Sequence, residues 1–508
     1  MNKTMLNDLL HFNNIKAYQY LSVDIRLQYP LAKEIKSQNG LLLTEWIAFD
    51  SSSNETNWYV LYYYQAYWLC IVSRLNPKRP MLIDLSEAFP INERLHRAIH
   101  DLTKIPTKKA KDKRAWLNHG HFKMGILNPY SKSSRFAKLH YVFNKVSGEG
   151  VHEIPVGPVH AGIIEPGHFR FSIVGERILK LEDRLGYTHK GIHSLLINKS
   201  MSEAASLLGR VSGDTTVAYA YAFALACEKQ LGFEIDAKTK CIRAILLERE
   251  RLINHIGDIG AIINDTGFIS LAMQFSILKE KLVRENKLLT HHRYMMDAIS
   301  PQQYMTMWDK SIVHDLLNHL NDVKKQLFQL EQIYHDHHGL QDRLKTTGIL
   351  THTLAQSLGV LGIIAKASGI AIDARASCTL YPYSEIDFTP ITAETGDVAA
   401  RVYVRFRECL QSIDMIEQFL QLGFNNCTQA LDIDQSSTEK ISIMCVESWR
   451  GPICIAVQLH DTKVSWCHFH DPSWQNWPAL SHAVMNNIVA DFPLINKSFN
   501  LSYSGEDS

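Results

Sequence analysis

Val151 to Leu196 reads VHEIPVGPVHAGIIEPGHFRFSIVGERILKLEDRLGYTHKGIHSLL. Its first half gathers Gly157, Pro158, Gly162, Pro166 and Gly167 around two histidines, His160 and His168, and one carboxylate, Glu165. Proline fixes φ and glycine frees it, so this density predicts a shaped loop of the kind on which chemistry is often sited. Phe169–Val174 and Ile178–Leu181 predict a hairpin across Gly175-Glu176-Arg177, followed by a helix start. On spacing alone, a buried turn with satisfied histidines explains the stretch equally well.

Two motifs in the stretch carry a family resemblance: Gly157-Pro158-Val159-His160, and Gly186-Tyr187-Thr188-His189-Lys190-Gly191-Ile192. Their order resembles the amino-terminal signature of the large subunit of group 4, energy-converting [NiFe] hydrogenases, and of its relative, the 49 kDa subunit of respiratory complex I. The wording Glu165 to Arg170, EPGHFR, is closer to the hydrogenase branch. The resemblance implies an α+β chain: a small α/β domain like the 30 kDa subunit over residues 1–125, a linker over 126–150, and a mainly helical bundle with small β-sheets over 151–508.

Working outward, the residues fit that plan. Trp58–Val72 is rich in aromatic and β-branched residues with room for a turn near Gln65, and Met81–Leu85 predicts another short strand. Helical spacing begins at Asn92–Leu102 and dominates after Ser200, over Glu203–Gln230, Lys238–Gly260, Leu271–Thr290 and His314–Tyr334, with central helices expected to be largely apolar. Lys440–Cys445 and Ile453–Leu459 read as strands, and Trp477–Asp491 as a helix. Ser86–Pro90 and Lys113–Gly120 echo the hydrogenase-linked form of the 30 kDa domain. The basic run Lys104–Arg114 reads as a solvated loop or a contact with a neighbouring subunit.

Composition narrows the classes. Of 508 residues, 46% are hydrophobic and 21% charged, which is ordinary for a folded chain large enough for two or three domains. A net charge of +1 gives no electrostatic footprint for nucleic acid. No apolar run reaches the roughly 18 residues of a spanning helix, so membrane contact is expected only through partners. The first residues lack a signal-peptide core, which argues for the cytoplasm. The nine cysteines never form C-x-x-C, so an iron–sulfur or zinc site within the chain is not expected.

In the resembled hydrogenases, R-x-C-G-x-C and D-P-C-x-x-C supply four thiolates to nickel and iron, because soft sulfur suits those metals and bridges them. Here the early motif aligns with Arg210-Val211-Ser212-Gly213-Asp214-Thr215 and the late one with Asp471-Pro472-Ser473-Trp474-Gln475-Asn476. Ser212, Thr215, Ser473 and Asn476 then replace the sulfur ligands, and neither nickel nor any other metal is expected in this chain. Glu447-Ser448-Trp449-Arg450-Gly451 matches E-x-P-R-G, whose arginine faces the metals, so Arg450 is expected to face an emptied cavity. In the complex I branch a histidine and a tyrosine hold a quinone there; their positions fall on Ile164 and Gly213. Asp265, on the helix that carries Glu248, Arg251, Asn254 and His255, matches the aspartate behind that histidine. If buried and unpaired it would carry a raised pKa.

The resemblance therefore implies a peripheral subunit on the cytoplasmic face of the inner membrane. It would belong to an NADH-quinone oxidoreductase-like, hydrogenase-4-related complex coupling electron transfer to ion translocation. Its partners would be an iron–sulfur small subunit and antiporter-like membrane subunits, and the acceptor a quinone or another, unidentified molecule. His160, Glu165, Asp265 and Arg450 are the candidate proton-handling residues. The rival reading is a redox-silent scaffold of an ion- or carbon-transport module.

Overall fold

The protein is described by a computed structural model covering residues 10, 17–50, 55–123, 125–130, 141–161, 164–305, 308–377, 380–425 and 441–508. Gly162, Cys378, Cys427, Lys440 and residues 131–140 of the expected linker lie outside the described residues.

The N-terminal part is built on a four-stranded sheet of order β1-β4-β3-β2, with β1 Tyr18–Ser22, β2 Leu41–Asp50, β3 Glu55–Tyr64 and β4 Tyr67–Arg74. The expected turn near Gln65 is a two-residue hairpin in which Gln65 and Ala66 both take positive φ, the geometry that matches the strands' twist. β1 pairs parallel to β4, and the other pairs are antiparallel. The strand expected at Met81–Leu85 shrinks to β5, Leu82–Ile83, paired with β6, Thr107–Lys108.

Both faces of the four-stranded sheet are buried, and period-two alternation divides them. Leu42, Ile47, Trp58, Val60, Leu69 and Ile71 join the main core, and the Asn92–Thr103 helix packs against β2. Leu41, Leu43, Trp46, Leu61, Trp68 and Cys70 form a second core with Ile441, Ile443, Cys445, Cys454 and Ala456. Those partners lie on the C-terminal sheet of β10, Ser442–Ser448, β11, Gly451–His460, and β12, Lys463–His470, in that order. Hydrogen bonds cross the join: Tyr20 Oη to Ile441 O at 3.2 Å, and Thr44 Oγ1 to His468 Nε2 at 2.9 Å.

Between the two sheets in sequence lies the Val151–Leu196 stretch. The loop expected over its first half begins later than expected, because Val151–Val156 is itself a strand, β7, paired to β8, His168–Val174. β9, Arg177–Arg184, completes a three-stranded sheet of order β7-β8-β9. Glycine and proline therefore shape the described residues 157–161 and 164–167.

Helices fill the rest. The helix expected over Glu203–Gln230 is two helices, Met201–Leu208 and Thr216–Leu231, broken at Gly209–Thr215. Ala237–Asp265 packs against Val398–Asn425 and Ile269–Thr290, and Lys310–Asp336 continues the bundle. The central helix is not the apolar rod expected from spacing: Glu248, Arg249, Glu250, Arg251, Asn254, His255 and Asp258 are all buried on it. The expected helix Trp477–Asp491 is instead Ser473–Ala483, and Phe492–Phe499 and Tyr503–Glu506 come after it. No helix among the described residues is long and apolar enough to cross a membrane.

Candidate functional site

The break at Gly209–Thr215 brings the turn Ser212-Gly213-Asp214-Thr215 to the start of the Thr216–Leu231 helix, with Thr215 at its N-cap position. Opposite lies the start of the Tyr503–Glu506 helix, where Ser502 is the N-cap and its hydroxyl accepts the Gly505 N–H at 2.9 Å. Ser502 Oγ donates to Ser212 Oγ at 3.0 Å. Two i,i+3 pairs, Ser212/Thr215 and Ser502/Gly505, thus occur on the two facing helix starts. This corrects the sequence alignment of the late motif. Ser473 stands one bond behind, its hydroxyl accepting the Ser502 N–H at 2.9 Å. Asn476 is turned away, bonded to the Leu361 backbone at 2.9 and 3.2 Å.

Arg450 closes the space between the pairs. It sits with Trp449 at the tip of the β10–β11 hairpin, where Ser448 pairs with Gly451. Gly362 lets a helix start approach that tip: a Cβ there would lie 1.9 Å from the Arg450 carbonyl oxygen. The guanidinium makes a bidentate pair with Asp214, at 2.8 and 2.7 Å, and donates to Thr215 Oγ1 at 3.0 Å and to Asn500 O at 2.6 Å. It also lies 3.8 Å over the Trp449 ring. Ser212 and Thr215 donate to the same Asp214 oxygen at 2.7 and 3.0 Å. Burial alone would push the Asp214 carboxyl up, but Arg450 overcomes it and holds the group well below the usual carboxylate range. Arg450 therefore does not face an emptied cavity. It is locked to an acid that the sequence reading passed over, although an Asp inside an otherwise kept R-x-S-G-x-T frame was a visible signal.

These residues do not fit a nickel–iron centre. The donors are hydroxyls engaged with one another and with a guanidinium, and they offer neither thiolate nor vacant lone pairs toward a shared point. All the described cysteines, Cys70, Cys227, Cys241, Cys409, Cys445, Cys454 and Cys467, are buried elsewhere as free thiols. Among the described residues no group of three or more His, Cys, Asp or Glu side chains could hold a metal ion. A quinone headgroup fares no better at the expected positions, since Ile164 is apolar and exposed and Gly213 has no side chain to donate.

Of the other candidates, Glu165 and His160 do reach the site. Glu165 accepts the Ser504 N–H at 3.0 Å. The His160 ring lies edge-on to Phe169 at 5.5 Å and 6.3 Å from the Tyr503 ring. Its Nε2 is buried without a hydrogen bond, and burial lowers its pKa. Asp265 does not join them. It is exposed at the last residue of the Ala237–Asp265 helix, its carboxyl raised by local desolvation and opposed by Lys497.

Behind the hairpin tip lies a buried charge network. Arg251 donates to the carbonyls of Glu447 and Ser448 at 2.7 and 2.8 Å and to Glu248 at 3.1 Å. Lys366 bonds Asp373 and Glu408 at 2.6 Å each, Arg375 bonds Asp373 and Glu248, and His255 bonds Glu408 at 2.8 Å. Four carboxyls thus share three permanent cations. Burial, then Asp373, pushes Glu447 up to about 7, while Lys366 and Arg251 oppose the rise. Glu447 is the member of the network that holds a proton near neutral pH. Arg375 also lies 3.6 Å from Glu408, and Arg405 pairs with Asp258 at 3.1 Å.

With this geometry in place, comparison with known proteins is informative. Residues 265–432 match the family described as the respiratory-chain NADH dehydrogenase 49 kDa subunit. Over those residues the chain is similar to that family. Formate hydrogenlyase subunit 5 of Escherichia coli (strain K12) is 27% identical over 378 residues, covering 73% of this chain and 65% of that protein. The fused NADH-quinone oxidoreductase C/D protein of Bacteroides thetaiotaomicron is 28% identical over 284 residues, covering 54% of this chain and 52% of that one. The chain thus spans less than two thirds of these relatives, each of which is a subunit of a larger complex. A solved structure of the membrane-bound sulfane sulfur reductase, an archaeal respiratory membrane complex, shares the fold with a TM-score of 0.63 at 21% identity, over 71% of this chain and 99% of that one. The matched residues run from the end of the Ala237–Asp265 helix through the Val398–Asn425 helix.

Proposed function

We propose that this chain is a peripheral subunit of a membrane-bound, complex-I-like assembly that couples electron transfer to ion translocation without a [NiFe] centre. The observation that carries the reading is the Asp214–Arg450 lock between Ser212/Thr215 and Ser502/Gly505, in the place where the resembled hydrogenases hold metal. The relatives' membership of such complexes supplies the setting, and the C/D fusion among them supports reading residues 1–125 as a 30 kDa-like unit ahead of a 49 kDa-like unit over 151–508. In this reading an iron–sulfur small subunit docks beside the lock on the cytoplasmic face, and antiporter-like membrane subunits lie beneath.

The chain's own residues handle charge and protons. Glu447 exchanges a proton near neutral pH, and Arg251 ties its backbone to the tip that carries Arg450. Glu165 and His160 flank the opposite side of the lock at Tyr503–Ser504. A redox-silent scaffold is the second reading, favoured by the mutual satisfaction of Ser212, Asp214, Thr215 and Arg450.

The test is purification of the complex through a tag on this chain, with nickel, iron and extracted quinone quantified together. Iron without nickel is expected, with the iron in a partner. Nickel near one atom per chain would overturn the reading, and absence of iron and quinone alike would leave the scaffold standing.

A further inference from the structure

A second concavity lies far from the lock in the sequence, where the N-terminal part meets the β7-β8-β9 sheet. It encloses about 460 Å³ and is lined by Lys113, Arg114, His119, Tyr141, Phe143, His168, Arg184 and Tyr187 among others. That volume is within the range of small-molecule sites.

The arginines around it are unequally matched. Arg94 pairs with Asp183 at 2.6 Å, Arg97 with Asp112 at 3.1 Å, and Arg114 with Asp112 and Glu182 at 2.6 and 2.7 Å. Arg184 is only 4% exposed, yet among the described residues its contacts are the Trp116 carbonyl and the faces of Tyr141, at 4.5 Å, and Trp116, at 5.6 Å. A buried guanidinium without a carboxylate keeps a desolvation cost that a bound anion would offset. Of the nearby groups Lys113 adds to the positive sign, whereas burial lowers the pKa of His119 and His168 and favours their neutral forms. Lys113 is exposed at the rim, and His119 Nε2 is engaged by Leu185 O at 2.7 Å. His168 is held by Gly157 O at 3.3 Å and accepts from Arg170 at 3.4 Å. The acids of the cluster, Asp112 and Glu182, are already spent on Arg97 and Arg114, and Asp101, which attracts Arg184 without bonding it, accepts the Trp116, Leu117 and Asn118 N–H groups. The donors facing the pocket are thus the Arg184 N–H groups beyond the one bonded to Trp116 O, Lys113 and the exposed Tyr187, while Tyr141 and Phe143 give a flat apolar wall.

We infer that this pocket binds a small soluble molecule with an oxyanion head, seated on Arg184 with its body against Tyr141 and Phe143. Guanidinium presents two parallel donors to either a carboxylate or a phosphate, and the aromatic wall favours a planar body. Neither the lock nor the proposed electron transfer is needed for this binding.

Calorimetric titration of the full chain with inorganic phosphate, acetate and benzoate, separately at millimolar concentration, tests it. Saturable binding is expected, with benzoate tighter than acetate if the head is a carboxylate, and phosphate tightest if it is a phosphoryl group. Arg184→Gln should weaken the preferred probe by about tenfold or more, and Lys113→Ala by roughly threefold. Because Arg184 also ties down the Trp116 backbone, thermal melting must show that the variant folds; should it not, Lys113→Ala and Tyr187→Phe decide. Absence of saturable binding by all three probes, or unchanged affinity in the folded variants, overturns the inference.

Discussion

At the residue scale, Asp214 and Arg450 decide what holds the turn at Ser212–Thr215. Arg450 is 6% exposed and Asp214 37%, so the pair is buried on one side only. A fully buried pair broken by removing one partner costs about 3–5 kcal/mol, and partial solvation of Asp214 brings the expectation for Asp214→Asn or Arg450→Met to about 2 kcal/mol. A double-mutant cycle by denaturant unfolding should return a coupling of about 1–2 kcal/mol; a coupling near zero would mean that the lock is only a chance contact between solvated groups. Gly505 is the second diagnostic residue. A Cβ there would meet Asp471 Cγ at 2.5 Å, and Asp471 is itself held by the Tyr219 hydroxyl at 2.8 Å and by the Ser473 N–H at 2.8 Å. Gly505→Ala should therefore cost about 1–3 kcal/mol, and a variant as stable as the parent would show that Asp471 moves freely. Ser212, Thr215 and Arg450 were legible in the sequence because their motifs keep their neighbours. Ser502 and Gly505 were not, because the dipeptide Asp471-Pro472 offered a better match to the late motif than Asn500-Leu501 does, and only the three-residue spacing of Ser502 and Gly505 remained as a signal.

At the element scale, the short Tyr503–Glu506 helix is held by the residue at its C-terminal end. Asp507 is fully buried and accepts from Gly186 N at 2.6 Å and from Thr188 N and Oγ1 at 2.8 and 2.6 Å. Burial outweighs those bonds and pushes its carboxyl from the ordinary 3.8 up to about 6. A carboxyl raised in the folded state favours folding while protonated. Its contribution is complete below about pH 4 and is lost as pH rises through about 6, by no more than about 3 kcal/mol. Glu506, also raised by burial and relieved by Arg94, acts in the same direction. Hydrogen exchange of the peptide covering 500–508, corrected for intrinsic rates, should therefore show protection falling between pH 4 and 6; rising protection across that window would refute the assignment. The hairpins at Gly175 and Gln65 were readable because turn residues and strand periodicity agree there. β7, β12 and the break at Gly209–Thr215 were not, since β7 carries too few alternating apolar residues and the break keeps helical spacing on both sides. The charges of the Ala237–Asp265 helix misled in the opposite way: pairing with one another, with Arg375 and with Glu408 buries side chains that composition assigns to the surface.

At the scale of the whole molecule, the division into an N-terminal and a C-terminal part is a division of sequence more than of core. Leu41, Leu43, Trp46, Leu61 and Trp68 are buried only by the β10-β11-β12 sheet and its neighbours. Residues 1–125 expressed alone would expose that face, a contiguous apolar patch of the kind that drives association. The fragment should be insoluble or oligomeric by light scattering, and become monomeric only when co-expressed with 151–508; a stable monomer would show that the face tolerates water. The α+β class was legible from motif order, while the shared core was not, because strands buried on both faces lose the polar side of their alternation.

The bond from Tyr20 to Ile441 spans 421 residues of chain. At a synthesis rate of about 5–20 residues per second, the first sheet waits about 20–80 s on the ribosome before its covering strand is made. During that interval a six-residue aromatic and aliphatic face has nothing of its own to rest on. The growing chain thus carries an uncovered apolar face for most of its synthesis, the condition under which association competes with folding.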